Sequence, residues 1–154
     1  MRWLRWLFLL YLAAVLALTL WPQLDTTAVP GWATAVVHFL AGLGIHIDVT
    51  FLEAASNLVM FLPFGVLGVL LLADARPRWS MPAVALTVTA AGFALSALIE
   101  TAQLAIPGRV STVQDVLLNG AGALLGAACG VAVLGSGLAT RLPTGADAPR
   151  APRG

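Results

Sequence analysis

Three acidic residues stand inside or at the edge of apolar stretches, each with a carboxamide three or four positions on: Glu53 with Asn57, Glu100 with Gln103, and Asp115 with Asn119. Residues at that spacing share a helix face, so each pair would offer a carboxylate and an amide to the same neighbour. Arg109, between Pro107-Gly108 and Ser111, is the one basic residue from 79 to 140. Two kinds of chemistry follow. Carboxylates, amides and a guanidinium can hold a polar head group by charge-assisted hydrogen bonds. Two carboxylates in unequal surroundings, Glu100 and Asp115, can divide acid and base roles. Covalent catalysis has no candidate nucleophile: nearby Ser and Thr lack a partnered base, and Cys129 lies midway along the last apolar run. His38 and His46 are eight residues apart, which matches no usual metal motif. No metal and no cofactor is expected.

Composition dictates where such residues must sit. A chain of 154 residues would ordinarily form one soluble domain, but 60% of this one is hydrophobic and 10% charged, against roughly 45–50% and 25% in typical globular domains. Mean hydropathy is +0.94. Charge-free stretches run 6–24, 26–47, 54–73, 79–99 and 116–140, and about 20 apolar residues suffice to cross a bilayer. The chain is therefore predicted to be an all-α, polytopic membrane protein. A net charge of +1 with no lysine provides no basic patch, so no nucleic-acid partner is expected. One cysteine excludes an internal disulfide. The start, Met1-Arg2-Trp3-Leu4-Arg5, resembles a signal peptide, but its apolar core runs to Leu20 and ends in Trp21-Pro22 without a small-x-small site. An uncleaved anchor is expected.

Four stretches read as spanning helices, about 4–21, 54–73, 81–105 and 113–135, with an outer loop over 22–53. Within that loop only 35–45 is strongly apolar, and Pro30, Gly31, His38, Gly42, Gly44 and His46 interrupt or flank it. It is too short for a span and suits a re-entrant or interfacial segment. With the N-terminus inside, four spans gather Arg2, Arg5, Arg76, Arg78, Arg141, Arg150 and Arg153 on the cytoplasmic face and leave only Arg109 outside. That satisfies the positive-inside rule, which a fifth span would weaken. The expected organisation is a four-helix transmembrane domain over 1–139 in the cell membrane, both termini cytoplasmic. A disordered tail over 140–154 would rest on anionic lipid.

Helix-end signals agree with these boundaries. Thr50-x-x-Glu53 and Thr112-x-x-Asp115 fit the capping-box pattern, Ser80 with Pro82 fits an N-cap, and Pro107-Gly108 fits a turn. On this topology Glu53, Asn57, Glu100, Gln103, Asp115 and Asn119 converge roughly 5–10 Å below the outer surface. At 100° per residue, Thr89, Ser96, Glu100 and Gln103 fall within about 60° on the third span, and Asp115, Asn119, Gly122, Gly126 and Gly130 within about 80° on the fourth. The glycines make a small-xxx-small face for close backbone approach. Gly126→Leu is expected to disrupt packing and Gly137→Leu to be mild. Pro63 is expected to kink the second span.

Plainer readings compete. Glu53 and Asp115 suit capping acids at helix N-termini, and Asn57, Gln103 and Asn119 suit interhelical hydrogen bonds that only hold the bundle. Glu100 starts no helix, so capping does not explain it, and unpaired at depth it would cost on the order of 2.5–3.5 kcal/mol. Arg109 is its expected partner, either as a structural ion pair or within a ligand site.

Asn57-Leu-Val-Met-Phe61-Leu-Pro63-Phe-Gly65, then Glu100-Thr-Ala-Gln103, then Arg109-x5-Asp115-x3-Asn119-Gly-Ala-Gly122-x3-Gly126, resembles the VanZ-like family of small membrane proteins over about 53–130. The resemblance implies a cell-envelope protein of a family named for a member associated with teicoplanin resistance. Phosphotransbutyrylase activity, also ascribed to some members, finds no phosphate-cradling loop or acyl-CoA motif here. Three functions remain open. A non-catalytic protein could bind membrane lipid, a lipoglycopeptide or a lipid-linked cell-wall precursor through Asn57, Glu100, Gln103, Arg109, Asp115 and Asn119. A membrane-embedded enzyme could use Glu100 and Asp115 as acid and base on a lipid-linked substrate. A proton path is the third, and the apolar inner halves of the second and fourth spans argue against it.

Overall fold

An apolar run in lipid has no water to satisfy its backbone, so it must satisfy itself, and a helix does so within one segment. The computed structural model of the chain describes residues 2–20, 31–106 and 111–137. They form five helices: α1 Arg2–Leu20, α2 Gly31–Gly42, α3 Val49–Ala75, α4 Met81–Gln103 and α5 Val113–Gly135. Four of these, α1, α3, α4 and α5, are long and apolar enough to cross a membrane. The 12 residues of α2 span only about 18 Å, well short of a hydrocarbon core of about 30 Å. Among the described residues, α2 is therefore too short to be a fifth span.

The helix ends follow local capping chemistry, with one correction. Helix α3 begins at Val49, because Asp48 is its N-cap and accepts the Phe51 backbone N–H at 2.6 Å. Thr50 is already helical, so the Thr50-x-x-Glu53 box does not form, and Glu53 is exposed. Asp48 captures the start because its short carboxylate reaches the N3 amide directly. The other two expected caps are present: Ser80 accepts from Ala83 N–H at 3.4 Å, and Thr112 accepts from Asp115 N–H at 3.1 Å. Helix α4 stops at Gln103, two residues earlier than expected, which puts Glu100 and Gln103 in its final turn.

The most extensive packing joins α3 to α5, and α4 lies against both. Glycine permits the α3–α5 approach. A Cβ on Gly122 would overlap the Leu58 carbonyl oxygen, and one on Gly126 would overlap Leu62 O and lie 3.0 Å from the Gly65 Cα. The match of Leu58 with Gly122, Leu62 with Gly126 and Val69 with Gly130 shows that α3 and α5 run parallel. Helix α4 runs against them, with Gly92 facing Ala123 and the Phe93 ring over Gly120. The core between the three comprises Phe61, Phe64, Val69, Val84, Val88, Ile99, Ala123 and Ala127. The expected mild site at Gly137 needs correction: this residue sits just past the Ser136 C-cap with φ +69°, a conformation that side-chain-bearing residues seldom adopt.

Helix α1 is held more lightly, burying only Leu4 and Val15. It is attached by the Phe8 ring, whose centroid is 5.5 Å from that of Phe64, and by two hydrogen bonds. Tyr11 donates to Met60 O at 2.6 Å, and Gln103 Nε2 donates to Thr19 O at 2.8 Å. The Tyr11 bond falls in the turn around Pro63, with the Phe64 amide facing the same hydroxyl. Proline withholds the ladder donor to the Val59 carbonyl, one residue before the carbonyl that Tyr11 reaches. Helix α3 continues unbroken through Pro63.

Candidate functional site

Helices α1 and α4 end where α3 and α5 begin, so their termini share one end of the bundle. Asn57 Nδ2 donates to Asp115 Oδ1 across the α3–α5 seam. The other carboxylate oxygen, Oδ2, accepts the Thr112 hydroxyl at 2.7 Å. The Thr112 backbone N–H in turn donates to Glu100 Oε2 at 3.2 Å. Asn57, Asp115, Thr112 and Glu100 thus form one hydrogen-bonded chain over three helices. Glu100 is 7% exposed, while Asn57 and Asp115 are half-buried.

One turn deeper lies a separate pair. Asn119 Nδ2 donates to Ser96 Oγ at 2.8 Å, joining α5 to α4; Asn119 is 2% and Ser96 0% exposed. Among the described residues, Asn119 Oδ1 is buried without a partner. Gln103 faces α1 through its bond to Thr19 O. The expected helix faces are therefore present: Thr89, Ser96, Glu100 and Gln103 are all buried on α4, as are Asn119, Gly122, Gly126 and Gly130 on α5.

The six sequence-derived residues divide accordingly. Asn57, Glu100 and Asp115 come together. Asn119 sits beneath them and Gln103 is turned to a different seam. Arg109, and with it the expected Glu100–Arg109 pair, lies outside the described residues. His38 and His46 are exposed. Among the described residues, no three His, Cys, Asp or Glu side chains gather as a metal site. The described arginines, Arg2, Arg5, Arg76 and Arg78, belong to the opposite end, at the start of α1 and just beyond α3. Sequence reading missed Thr112 as the link between the carboxylates. Its capping signal was visible, but the partner of its backbone N–H is a residue of another helix.

The arrangement can accept hydrogen bonds and carry negative charge. A family model described as VanZ/LLP1 matches residues 8–134. The chain belongs to the VanZ/LLP1 family. The VanZ/LLP1 match takes in all of α3 and α4, most of α1 and α5, and every residue of the hydrogen-bonded chain. Comparison with curated proteins returned no match, and comparison with solved structures returned none.

Proposed function

We propose that this VanZ/LLP1 membrane protein resides in the cell membrane with both termini cytoplasmic, and binds a lipid-anchored ligand at the polar end of its bundle. That end would face the outer leaflet. The observation that carries this reading is the Asn57–Asp115–Thr112–Glu100 chain, which draws two carboxylates from different helices to one level. Glu100 in the last turn of α4 and Thr112 and Asp115 at the start of α5, with Asn57 in the third turn of α3, suit a level where head groups meet acyl chains, within lateral reach of an amphiphile. Asn57, Glu100 and Asp115 would touch the head group, with Arg109 contributed by the α4–α5 connection, and Gln103 and Asn119 would brace the helices. The short α2 would lie in the interface above. Candidate ligands are a membrane lipid, a teicoplanin-type lipoglycopeptide and a lipid-linked wall precursor.

A second reading, an acid/base enzyme on a lipid-linked substrate, is favoured by one feature: Thr112 holds both carboxylates at one end of the bundle, Glu100 by its backbone N–H and Asp115 by its hydroxyl, so two carboxylates in unequal surroundings are available as separate acid and base. Native mass spectrometry of gently purified protein distinguishes the two. Binding predicts an intact amphiphile on the wild type that is lost in Asp115→Asn. Catalysis predicts conversion of an added substrate. Wild type and Asp115→Asn carrying the same lipids in the same amounts would refute the binding site, and teicoplanin susceptibility unchanged by expression would remove the resistance role.

A further inference from the structure

The opposite end of the bundle is basic and aromatic. Helix α3 ends on Arg76, whose backbone N–H donates to Leu72 O at 2.8 Å, and α4 starts from the Ser80 cap. Between them Arg76-Pro77-Arg78-Trp79 makes a tight turn, closed by Trp79 N–H on Arg76 O at 2.9 Å. Proline at the second position favours that turn. Its closure brings the Arg76 guanidinium over the Trp79 ring, 5.9 Å from the ring centroid, and leaves Arg78 at the tip. A guanidinium lying on an indole keeps its N–H edge free for an anion. All four residues are exposed.

Helix α1 brings a second set to the same end. Phe8 packs on Phe64 and Tyr11 on Met60, so α1 runs antiparallel to α3 and its start points toward the turn. Arg2, Trp3, Arg5 and Trp6 are exposed there, while Leu4 among them is buried. At 1.5 Å per residue, Arg2 lies roughly 7 Å short of the end of α3. A long side chain that leans toward its helix N-terminus bridges such a gap. Among the described residues, Asp74 is the one acid at this end. Charge alone would satisfy the positive-inside rule. The stacking of Arg76 on Trp79, and the alternation of arginine with tryptophan on α1, are not needed for topology. They suit a phosphate-bearing surface, where indoles sit at head-group level.

We propose that this collar binds anionic phospholipid of the leaflet it faces. The stacked Arg76 takes a phosphate, and Arg78, Arg2 and Arg5 supply further attraction. A choline head group brings its own cation to the collar and is disfavoured. The inference concerns the far end of the bundle and does not depend on the ligand site at the polar end.

The test titrates the full chain in detergent with equimolar phosphatidylglycerol and phosphatidylcholine of matched acyl chains, and reads bound lipid by native mass spectrometry. Phosphatidylglycerol is expected to be retained about tenfold over phosphatidylcholine. The ratio should fall about fivefold in Arg76→Gln, and again about fivefold in the pair Arg2→Gln with Arg5→Gln. Trp79→Leu keeps every charge and should lower it about threefold, because the guanidinium loses its platform. Asp74→Asn should raise the ratio, and Glu53→Gln, exposed at the other end, should leave it unchanged. The substituted side chains are exposed, so each variant should melt as the wild type does in lipid-free detergent. A wild-type ratio near one would overturn the proposal, as would a preference that survives removal of all four arginines. A Trp79→Leu ratio equal to that of the wild type would reduce the collar to bulk charge and overturn the stacked pair as its determinant. Displacement of the lipid by millimolar inorganic phosphate would assign the surface to a free anion and overturn the lipid. None of these failures touches the amphiphile expected at Asp115, which is read separately in Asp115→Asn.

Discussion

Glu100 completes the cap of a helix to which it does not belong. Its Oε2 accepts the backbone N–H of Thr112, the N-cap residue of α5, at 3.2 Å. In a local capping box the acid at N3 would take that N–H. Here the N3 residue, Asp115, takes the Thr112 hydroxyl and the Asn57 amide instead, and a carboxylate from α4 fills the vacated role. The end of one span and the start of the next are thereby tied together.

The cap makes a graded prediction at Glu100. Glu100→Gln keeps an oxygen for the Thr112 N–H and should cost little stability. Glu100→Ala strands that N–H and should cost about 1–2 kcal/mol. Thermal unfolding in detergent checks this, and equal melting of the two variants would show that the cross-helix cap contributes nothing.

Asn57 and Asp115 should be coupled. A double-mutant cycle with Asn57→Ala and Asp115→Ala should give an interaction energy of about 0.6–1.7 kcal/mol, the range for side-chain hydrogen bonds between membrane helices. Additive losses would contradict a direct bond.

The α3–α5 seam tests the glycine contacts. Gly126→Ala, one carbon larger, pushes a methyl into Leu62 O and against Gly65, and should destabilise by about 1–3 kcal/mol. Gly135→Ala meets nothing within 4 Å and should be neutral or slightly stabilising. Folded yield and melting temperature of the two variants provide the comparison.

Helix α1 depends on few polar contacts. Tyr11→Phe removes the donor to Met60 O while keeping the ring against Phe8, and should cost about 1 kcal/mol. Limited proteolysis or cysteine accessibility along α1 should rise in Tyr11→Phe combined with Gln103→Leu, which also removes the bond to Thr19 O.

Orientation is checked by labelling single cysteines in a Cys129→Ala background. Positions in 22–52 and 106–112 should react with an impermeant thiol reagent from outside, and a cysteine at Arg76 should react only after permeabilisation. Outside labelling at Arg76 would reverse the placement of the polar end.

The sequence by itself determined that the protein is helical, that four stretches can span, and which face of the third and fourth turns inward. Those properties follow from charge-free length and from a period of 3.6, which are local and one-dimensional. Gly122, Gly126 and Gly130 could be read as a packing face for the same reason, because a missing side chain limits contact whatever the partner. Pairing was different. Glu100 read as a stranded charge in want of Arg109, and only the fold set its carboxylate beside Thr112, because the direction in which α4 delivers it depends on how α3, α4 and α5 cross. Gln103 shared a face with Glu100 yet reached α1, and Asn119 reached Ser96 rather than the acidic layer. The capping-box pattern points to Thr50 as the start of α3, but the helix begins after Asp48, whose side chain reaches the N3 amide. Spacing specifies which residues share a face, while the neighbour across that face is chosen by packing, and close packing between helices is a property of the assembled bundle.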